Sequence, residues 1–291
     1  NDNFSWDLNS TFSVNRNKLI KLNSNLDYQL GPSIGFSDEN PIMFMVGQPL
    51  GIFWGAETDG IYENWEQAYN SDIPNARPGE INYVNHHIDY NASGNPSETQ
   101  VIGPEDYVKI GDPNPDFNFS IGSEFKYKNW DLNLLFTGQE GGDLFWVDSW
   151  QLSGLFRTRN HLSDSFENSW RAPLSYSNGT LVYDQTVGNM SGVAHPAAIV
   201  NNGNRNTSSD RQVFDASFFR LKNINLGYNF NFKNGKSLRL YVSGQNLLTW
   251  TDYPGYDPEV QTYTKNPQRR GVDFGTYPGT KSYIFGLRLN Y

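Results

Sequence analysis

Hydrophobic positions recur along this chain at every second residue, in runs longer than most strands. In KSYIFGLRLNY (281–291), Tyr283, Phe285, Leu287, Leu289 and Tyr291 share one face, against Ser282, Ile284, Gly286, Arg288 and Asn290 on the other. FSWDLNSTFSV sets Phe4, Trp6, Leu8, Phe12 and Val14 against Ser5, Asp7, Asn9, Thr11 and Ser13. FNFSIGSEFKY sets Phe117, Phe119, Ile121, Phe125 and Tyr127 against Asn118, Ser120, Gly122, Glu124 and Lys126. The alternation returns in WDLNLLFTG through Trp130, Leu132, Leu134 and Phe136, in NINLGYNFN through Ile224, Leu226, Tyr228 and Phe230, and in SLRLYVSGQNLLTW through Leu238, Leu240, Val242 and Leu248. A period of two means a strand with different surroundings on its two sides. A soluble sandwich, with core on one side and water on the other, satisfies that pattern. So does a membrane barrel, with lipid outside and a wet lumen inside.

Length and connection favour the barrel. Eight strands are expected, near 3–20, 42–49, 52–63, 117–128, 129–147, 215–231, 237–250 and 281–291. Many of these exceed the usual 5–6 residues of globular sheets. About 10 residues at ~3.3 Å each, tilted near 45°, cross roughly 23 Å. The turns at 126–130 and 231–237 are tight, the second helped by Gly235, whereas 64–115, 148–214 and 251–280 are long and rich in Gly, Pro and Asn. Short turns at one end and long loops at the other are the habit of outer-membrane barrels. One short helix is expected at DSFENSW (164–170), with Asp164 as N-cap, Glu167 three residues on and Pro173 as its stop.

Composition adds to this picture. Only 37% of the 291 residues are hydrophobic while 15% are aromatic, a mixture suited to polar-in, apolar-out strands with aromatic girdles. The absence of cysteine excludes a disulfide framework and thiolate metal sites. A net charge of −9 makes nucleic acid an unsuitable partner. No apolar run reaches the length of a membrane helix; the longest compact one is IMFMV at 42–46. The chain starts at Asn1 without a signal peptide, as expected of a processed product or a piece of something longer.

Six blocks carry a family resemblance: VGQPLGIFWGAETDGIYEN (46–64), ARPGEINY (76–83), IGDPNPDFNFSIG (110–122), FFRLKNINLGYNF (218–230), GQNLLTWTDYPGYDPE (244–259) and GVDFGTYPGTKSYIFGLRLNY (271–291). In this order they resemble the late barrel of SusC/RagA-type TonB-dependent outer-membrane transporters of Bacteroidetes. The resemblance implies an all-β fold, an antiparallel transmembrane β-barrel portion with about eight of 22 strands and long extracellular loops. Residues 1–291 would be a C-terminal part of that barrel without the plug domain. It implies a location in the cell outer membrane, and active uptake of oligosaccharides or oligopeptides. The implied partners are the remaining barrel and plug portion, TonB through the missing part, a SusD-like surface lipoprotein acting as a lid, outer-membrane lipid and the cargo itself. A passive channel or adhesin barrel and a secreted carbohydrate-binding sandwich stand as alternatives.

No catalytic motif is present, and no cofactor is expected. The pairs Glu57/Asp59 and Asp257/Glu259 sit in turn-like segments and read as loop structure. Family members often carry an Asp-rich, calcium-loop-like segment where this chain has NYVNHHIDYNASGNPSETQ (82–100), with only Asp89 and Glu98 acidic, so no metal is expected there. His86 and His87 read as a solvated pair. Substrate contacts are expected from loop aromatics and arginines: Trp150, Trp170, Tyr176, Tyr183, Tyr253, Tyr256, Tyr263, Arg269 and Arg270. Trp146 and Trp250, at strand ends, are expected in an interfacial girdle.

The terminal run Tyr283, Phe285, Leu287, Leu289 and Tyr291 fits the alternating last strand with a terminal aromatic that outer-membrane barrels commonly present to the barrel-assembly machinery. Deleting Tyr291 is expected to lower sharply the amount assembled in the outer membrane while leaving synthesis intact. Immunoblots of membrane fractions against whole cells would show it, and unaltered assembly would remove that role.

Overall fold

A computed structural model describes residues 3–34, 40–95, 97, 102–154, 160–184, 186–198, 207–233 and 235–291. The chain begins in β1 (Phe4–Ser13) and then runs through β2 (Tyr28–Leu30), β3 (Ile42–Met45), β4 (Ile52–Gly55), β5 (Thr58–Ile61), β6 (Ile81–Tyr83) and β7 (Val108–Gly111). The long hairpin β8 (Phe117–Tyr127) and β9 (Trp130–Glu140) follows. After it come β10 (Asp143–Trp146), β11 (Leu174–Ser177), β12 (Thr180–Tyr183) and β13 (Val213–Asp215). A second long hairpin, β14 (Phe218–Asn231) and β15 (Ser237–Trp250), precedes β16 (Val272–Asp273) and the last strand, β17 (Ser282–Asn290).

The long strands form one antiparallel sheet in the order β1-β8-β9-β14-β15-β17. Its register lines up the alternating faces of all six strands. Phe4 faces Tyr127, Tyr127 faces Trp130, Trp130 faces Tyr228, Tyr228 faces Leu240 and Leu240 faces Leu287. Two residues further along, the row is Trp6, Phe125, Leu132, Leu226, Val242 and Phe285. Between these lies a polar row of Ser5, Lys126, Asp131, Gly227, Tyr241 and Gly286, and beyond it another of Asp7, Glu124, Asn133, Asn225, Ser243 and Ile284. A slip of one residue in any strand would put charge among the apolar rows, so both faces specify this pairing.

The apolar face is uncovered: Phe285 is 78% exposed, Leu287 71% and Leu8 60%. A continuous apolar surface across six strands far exceeds the few hundred Å² that a soluble monomer leaves bare, and no second sheet covers it among the described residues. Lipid is the solvent that suits it. Its two ends are aromatic. At the short-turn end Phe4, Tyr127, Trp130 and Tyr228 stand in a row, with Trp130 and Tyr228 edge to face at 4.7 Å. At the long-loop end the row is Phe12, Phe119, Phe219 and Trp250, interrupted only by Gly138. A Cβ at Gly138 would fall inside the Phe119 ring, so glycine lets that ring lie flat and stack on Phe219 at 6.0 Å. Eight residues separate Phe4 from Phe12, roughly 26 Å along the strand and about 20 Å once tilted. That approaches the ~25 Å apolar band between the girdles of an outer-membrane barrel.

Six strands, not eight, build this wall. The segments expected as strands at 42–49 and 52–63 instead form β3, β4 and β5, of four residues each, within loop sheets: β2-β3-β4-β7 and β5-β6. Ile42, Met43, Phe44, Ile52 and Phe53 are all buried, so the apolar run is a core and has no lipid face. The strand expected over 129–147 ends at Glu140, where Gly141 and Gly142 both take positive φ and turn the chain into β10. Trp146 therefore leaves the girdle and is 7% exposed, packed with Leu144, Ala216, Tyr253 and Val260. Trp250 does stand in the upper girdle, stacked on Phe219 at 5.5 Å.

All three long connections, 14–116, 141–217 and 251–281, leave the same end of the sheet. They share one core, with Ile34, Ile42, Phe44 and Phe53 from the first, Phe145, Val147 and Trp150 from the second and Val272 from the third. β10 seals them, pairing with β13 and, in parallel, with β16. The loop region is thus a packed cap.

Ile284 and Phe285 are neighbours on opposite faces, which makes a direct test. Phe285→Arg should destabilise the inserted barrel by ~1–2 kcal/mol, less than at the bilayer midplane because its row adjoins the short-turn girdle, whereas Ile284→Arg, pointing to the lumen, should be tolerated. Denaturant titration of the folded, detergent-solubilised protein reads the difference.

Candidate functional site

An ion-pair network centred on the buried Arg220 ties the third loop to the wall. Arg220 sits on the lumen face of β14 and is 3% exposed. Its guanidinium donates through Nη2 to Asp257 and lies 3.0 Å from Glu259, which Lys222 also reaches at 3.2 Å. Asp257 further accepts the backbone N–H groups of Glu259 and Gly279. Burial opposes ionisation of Asp257, but these hydrogen bonds and the Arg220 charge outweigh it and hold the carboxyl below its ordinary range. The DPE at the end of GQNLLTWTDYPGYDPE is therefore a clasp, which disposes of the carboxylate-pair question for Asp257 and Glu259. Lys222 is free to join because β14 carries a bulge there: Leu221 and Asn223 pair with the adjacent residues Phe136 and Leu135 of β9.

The expected contact residues divide by accessibility. Trp150 is buried in the shared core, edge-on to Phe145 at 5.6 Å, with Nε1 3.4 Å from the Thr207 carbonyl. Tyr253 is buried too, and its hydroxyl donates to Asp273 at 2.7 Å; burial and that carboxylate push the phenol well up. Trp170 is half-buried and donates to the Glu63 carbonyl at 2.9 Å. Tyr263 and Arg269 stack on each other, 4.5 Å from guanidinium to ring centre. Trp150 and Tyr253 are thus part of the cap's core, and Trp170, Tyr263 and Arg269 are half-buried. Tyr256, Tyr176, Tyr183 and Arg270 are exposed. Tyr176 and Tyr183 share a face of the β11–β12 hairpin, because Tyr176 pairs with Leu181 and Leu174 with Tyr183. Tyr256 stands on the rim of a cavity of about 460 Å³ that also meets Asp148, Gln151 and Asn160. The nine residues do not gather into one constellation. Tyr283, Phe285, Leu287 and Leu289 all lie exposed along the outer face of β17, with Tyr291 just past its end.

Other features went unread in the sequence. Asp106, fully buried, accepts the backbone N–H groups of His86, His87 and Gly103, and so ties the two histidines to the turn before β7. His86 meets Glu57 at 2.9 Å. Glu98 lies outside the described residues. The helix α1 (Trp65–Tyr69) is capped by the Asn64 side chain, which accepts Gln67 N–H at 3.0 Å, a spacing visible in NWEQ. The second helix, α2 (Ser149–Ser153), starts at the buried Ser149, whose hydroxyl donates to the Trp146 carbonyl. The expected helix near 164–170 is α3 (Ser163–Glu167), where Asp164 is inside the first turn and not the cap; its carboxylate holds His195 and Asn168.

The geometry defines a class: a wall segment of a transmembrane β-barrel whose loops form a packed cap. Known proteins resolve it further. The chain is 31% identical over 303 aligned residues to TonB-dependent receptor P3 of Formosa agariphila, covering 100% of this chain and 27% of that receptor. It is 24% identical over 300 residues to TonB-dependent receptor SusC of Bacteroides thetaiotaomicron, covering 99% of this chain and 24% of SusC. A solved structure of the RagAB peptide transporter matches with a TM-score of 0.70 at 19% identity, over 99% of this chain and 27% of that one, a likeness of fold. No family model matches the chain. The chain is homologous to TonB-dependent receptors, and spans about a quarter of the length of the curated relatives it matches.

Removing the clasp should free the third loop from the wall. Arg220→Met leaves Asp257 as an unpaired buried charge, a change that typically costs ~3–5 kcal/mol. Because the Asp257 pKa is depressed in the fold, its stabilisation is present above the ordinary carboxylate range and is lost as pH falls through the lowered value. Limited proteolysis should cut 251–281 faster in the variant at neutral pH, and in the parent protein only in acid.

Proposed function

We propose that this chain supplies part of the wall and outer cap of an active outer-membrane nutrient importer, which takes up oligosaccharides or oligopeptides with TonB energy under a SusD-like lipoprotein lid. The observation that carries this reading is the register of the six-stranded sheet, which sets an uncovered apolar face against a polar one. β1 and β17 each have one neighbour in that sheet, leaving an edge apiece for strands of the remaining barrel. Homology to TonB-dependent receptors supports import as the activity of the assembled protein. In the cap, Tyr256, Tyr176, Tyr183 and Arg270 are accessible to cargo or lid, while Trp150, Trp170, Tyr253, Tyr263 and Arg269 serve by shaping the loops.

Extraction of the native complex in mild detergent, followed by mass spectrometry of every polypeptide, tests the reading. A plug-bearing barrel portion and a surface lipoprotein are expected with this chain. A chain recovered alone, folded and ion-conducting, would make it a passive channel instead.

A further inference from the structure

We infer that a groove on the outer face of the wall, near its short-turn end, is a binding site for one glycerophospholipid of the inner leaflet. An acyl chain would lie in the groove and the phosphate at the lysines of the β14–β15 turn. The inference rests on the reading of the sheet as an outer-membrane wall whose short turns face the periplasm. The groove measures about 880 Å³. Sheet order explains it, because rings stand on both sides of a strand that carries none on this face. On one side Trp130 of β9 and Tyr228 and Phe230 of β14 form an edge-to-face ladder, with 4.7 Å between successive ring centres. On the other, Phe285 of β17 is 78% exposed. Between them β15 contributes the aliphatic Leu240 and Val242. β14 and β17 are two strand spacings apart, roughly 9–10 Å, which leaves room between the rings for one hydrocarbon chain.

The second observation is charge. The chain carries a net charge of −9, yet its two short turns, 126–130 and 231–237, hold Lys126, Lys128, Lys233 and Lys236 and no carboxylate. Lys126 lies in a lumen row and pairs with Glu124. The other three are exposed and make no ion pair among the described residues. Phe232 N–H donates to the Lys236 carbonyl at 2.9 Å, so Lys236 continues β15 one residue beyond Ser237. Two residues from Leu238, it falls by alternation on the outer face, at the foot of the groove. Lys233 belongs to the same turn. The Lys128 ammonium lies 5.3 Å from the centre of the Tyr127 ring, which shares the outer face with Trp130.

A phospholipid satisfies both observations at once. A lysine at the border of an apolar surface lays its stem along that surface and holds its ammonium at headgroup depth. There it offers three N–H donors and a full charge to a phosphate diester, while the chain below displaces nothing polar. Tyrosine and tryptophan rings at the same depth suit the boundary between headgroup and hydrocarbon. Strands of the remaining barrel join this sheet in its own plane, at the free edges of β1 and β17, and leave the groove open to the bilayer. The wall therefore selects a lipid by its phosphate, beyond the general preference of an apolar face for hydrocarbon.

The test uses the intact detergent-solubilised complex, stripped of lipid and titrated in native mass spectrometry with dioleoyl phosphatidylglycerol and with dioleoylglycerol, which has the same chains and no phosphate. The first phospholipid should bind roughly tenfold more tightly than dioleoylglycerol. Lys233→Gln/Lys236→Gln should abolish that preference. Leu240→Trp, which fills the groove with another apolar side chain, should weaken the phospholipid by a similar factor. Folding is spared in both, because the lysines are exposed and tryptophan suits a lipid-facing position. Lys265→Gln, in the third loop at the opposite end, should leave binding unchanged. Equal binding of the two probes, an unchanged preference in the lysine variant, unchanged affinity in Leu240→Trp, or an equal loss in Lys265→Gln overturns the inference. A complex that carries plug and lipoprotein yet shows no phosphate preference removes only this site and leaves the import reading standing. A chain recovered alone that binds the phospholipid as expected keeps the site and removes the import reading.

Discussion

In hydrocarbon no water is available to satisfy a backbone N–H or C=O, so every such group in the wall must be paired within the ladder. The rest of this molecule depends on that constraint. It makes the wall strands long and antiparallel and fixes their registers. The register in turn brings Trp6, Phe125, Leu132, Leu226, Val242 and Phe285 into one row facing lipid, and Asp7, Glu124, Asn133, Asn225 and Ser243 into another facing the lumen. Polar side chains on the inner face then pair among themselves. Arg239 donates to Asp131 and to Asn225, and Asn229 also reaches Asp131 at 3.0 Å.

The cap obeys a different constraint. Its strands are short, its core is ordinary, and its three loops come from widely separated parts of the chain. What gives it a fixed position is the contact between loop and wall: Arg220 on β14 with Asp257 and Glu259 from the third loop, reinforced by Tyr253 on Asp273. A buried arginine with two carboxylates is costly to break and specific in geometry. A loop held this firmly can present Tyr256 in fixed relation to the barrel mouth.

Legibility differed between these two parts for a physical reason. The wall strands were readable because lipid on one side and water on the other impose strict alternation, and the hairpins 126–130 and 231–237 fell where the turns are. The same test misjudged 42–49 and 52–63, because a strand buried on both faces shows a continuous apolar run that length alone does not separate from a spanning strand. It misjudged 129–147 because alternation continues across the Gly141–Gly142 turn. Trp150 and Tyr253 looked like loop aromatics open to cargo and Trp146 like a girdle residue at a strand end, and all three are core. Composition does not distinguish a ring that stacks on cargo from one that fills a loop core.

By itself the sequence determined the two-faced strands, their membrane-like length, the end from which the long loops leave and the family blocks, because each of these is written in residues close together along the chain. Tertiary structure alone decided that six strands share the wall, that DPE is a clasp and that Trp146, Trp150 and Tyr253 are buried in the cap. Those features depend on which distant segments come into contact, and only packing and register set that.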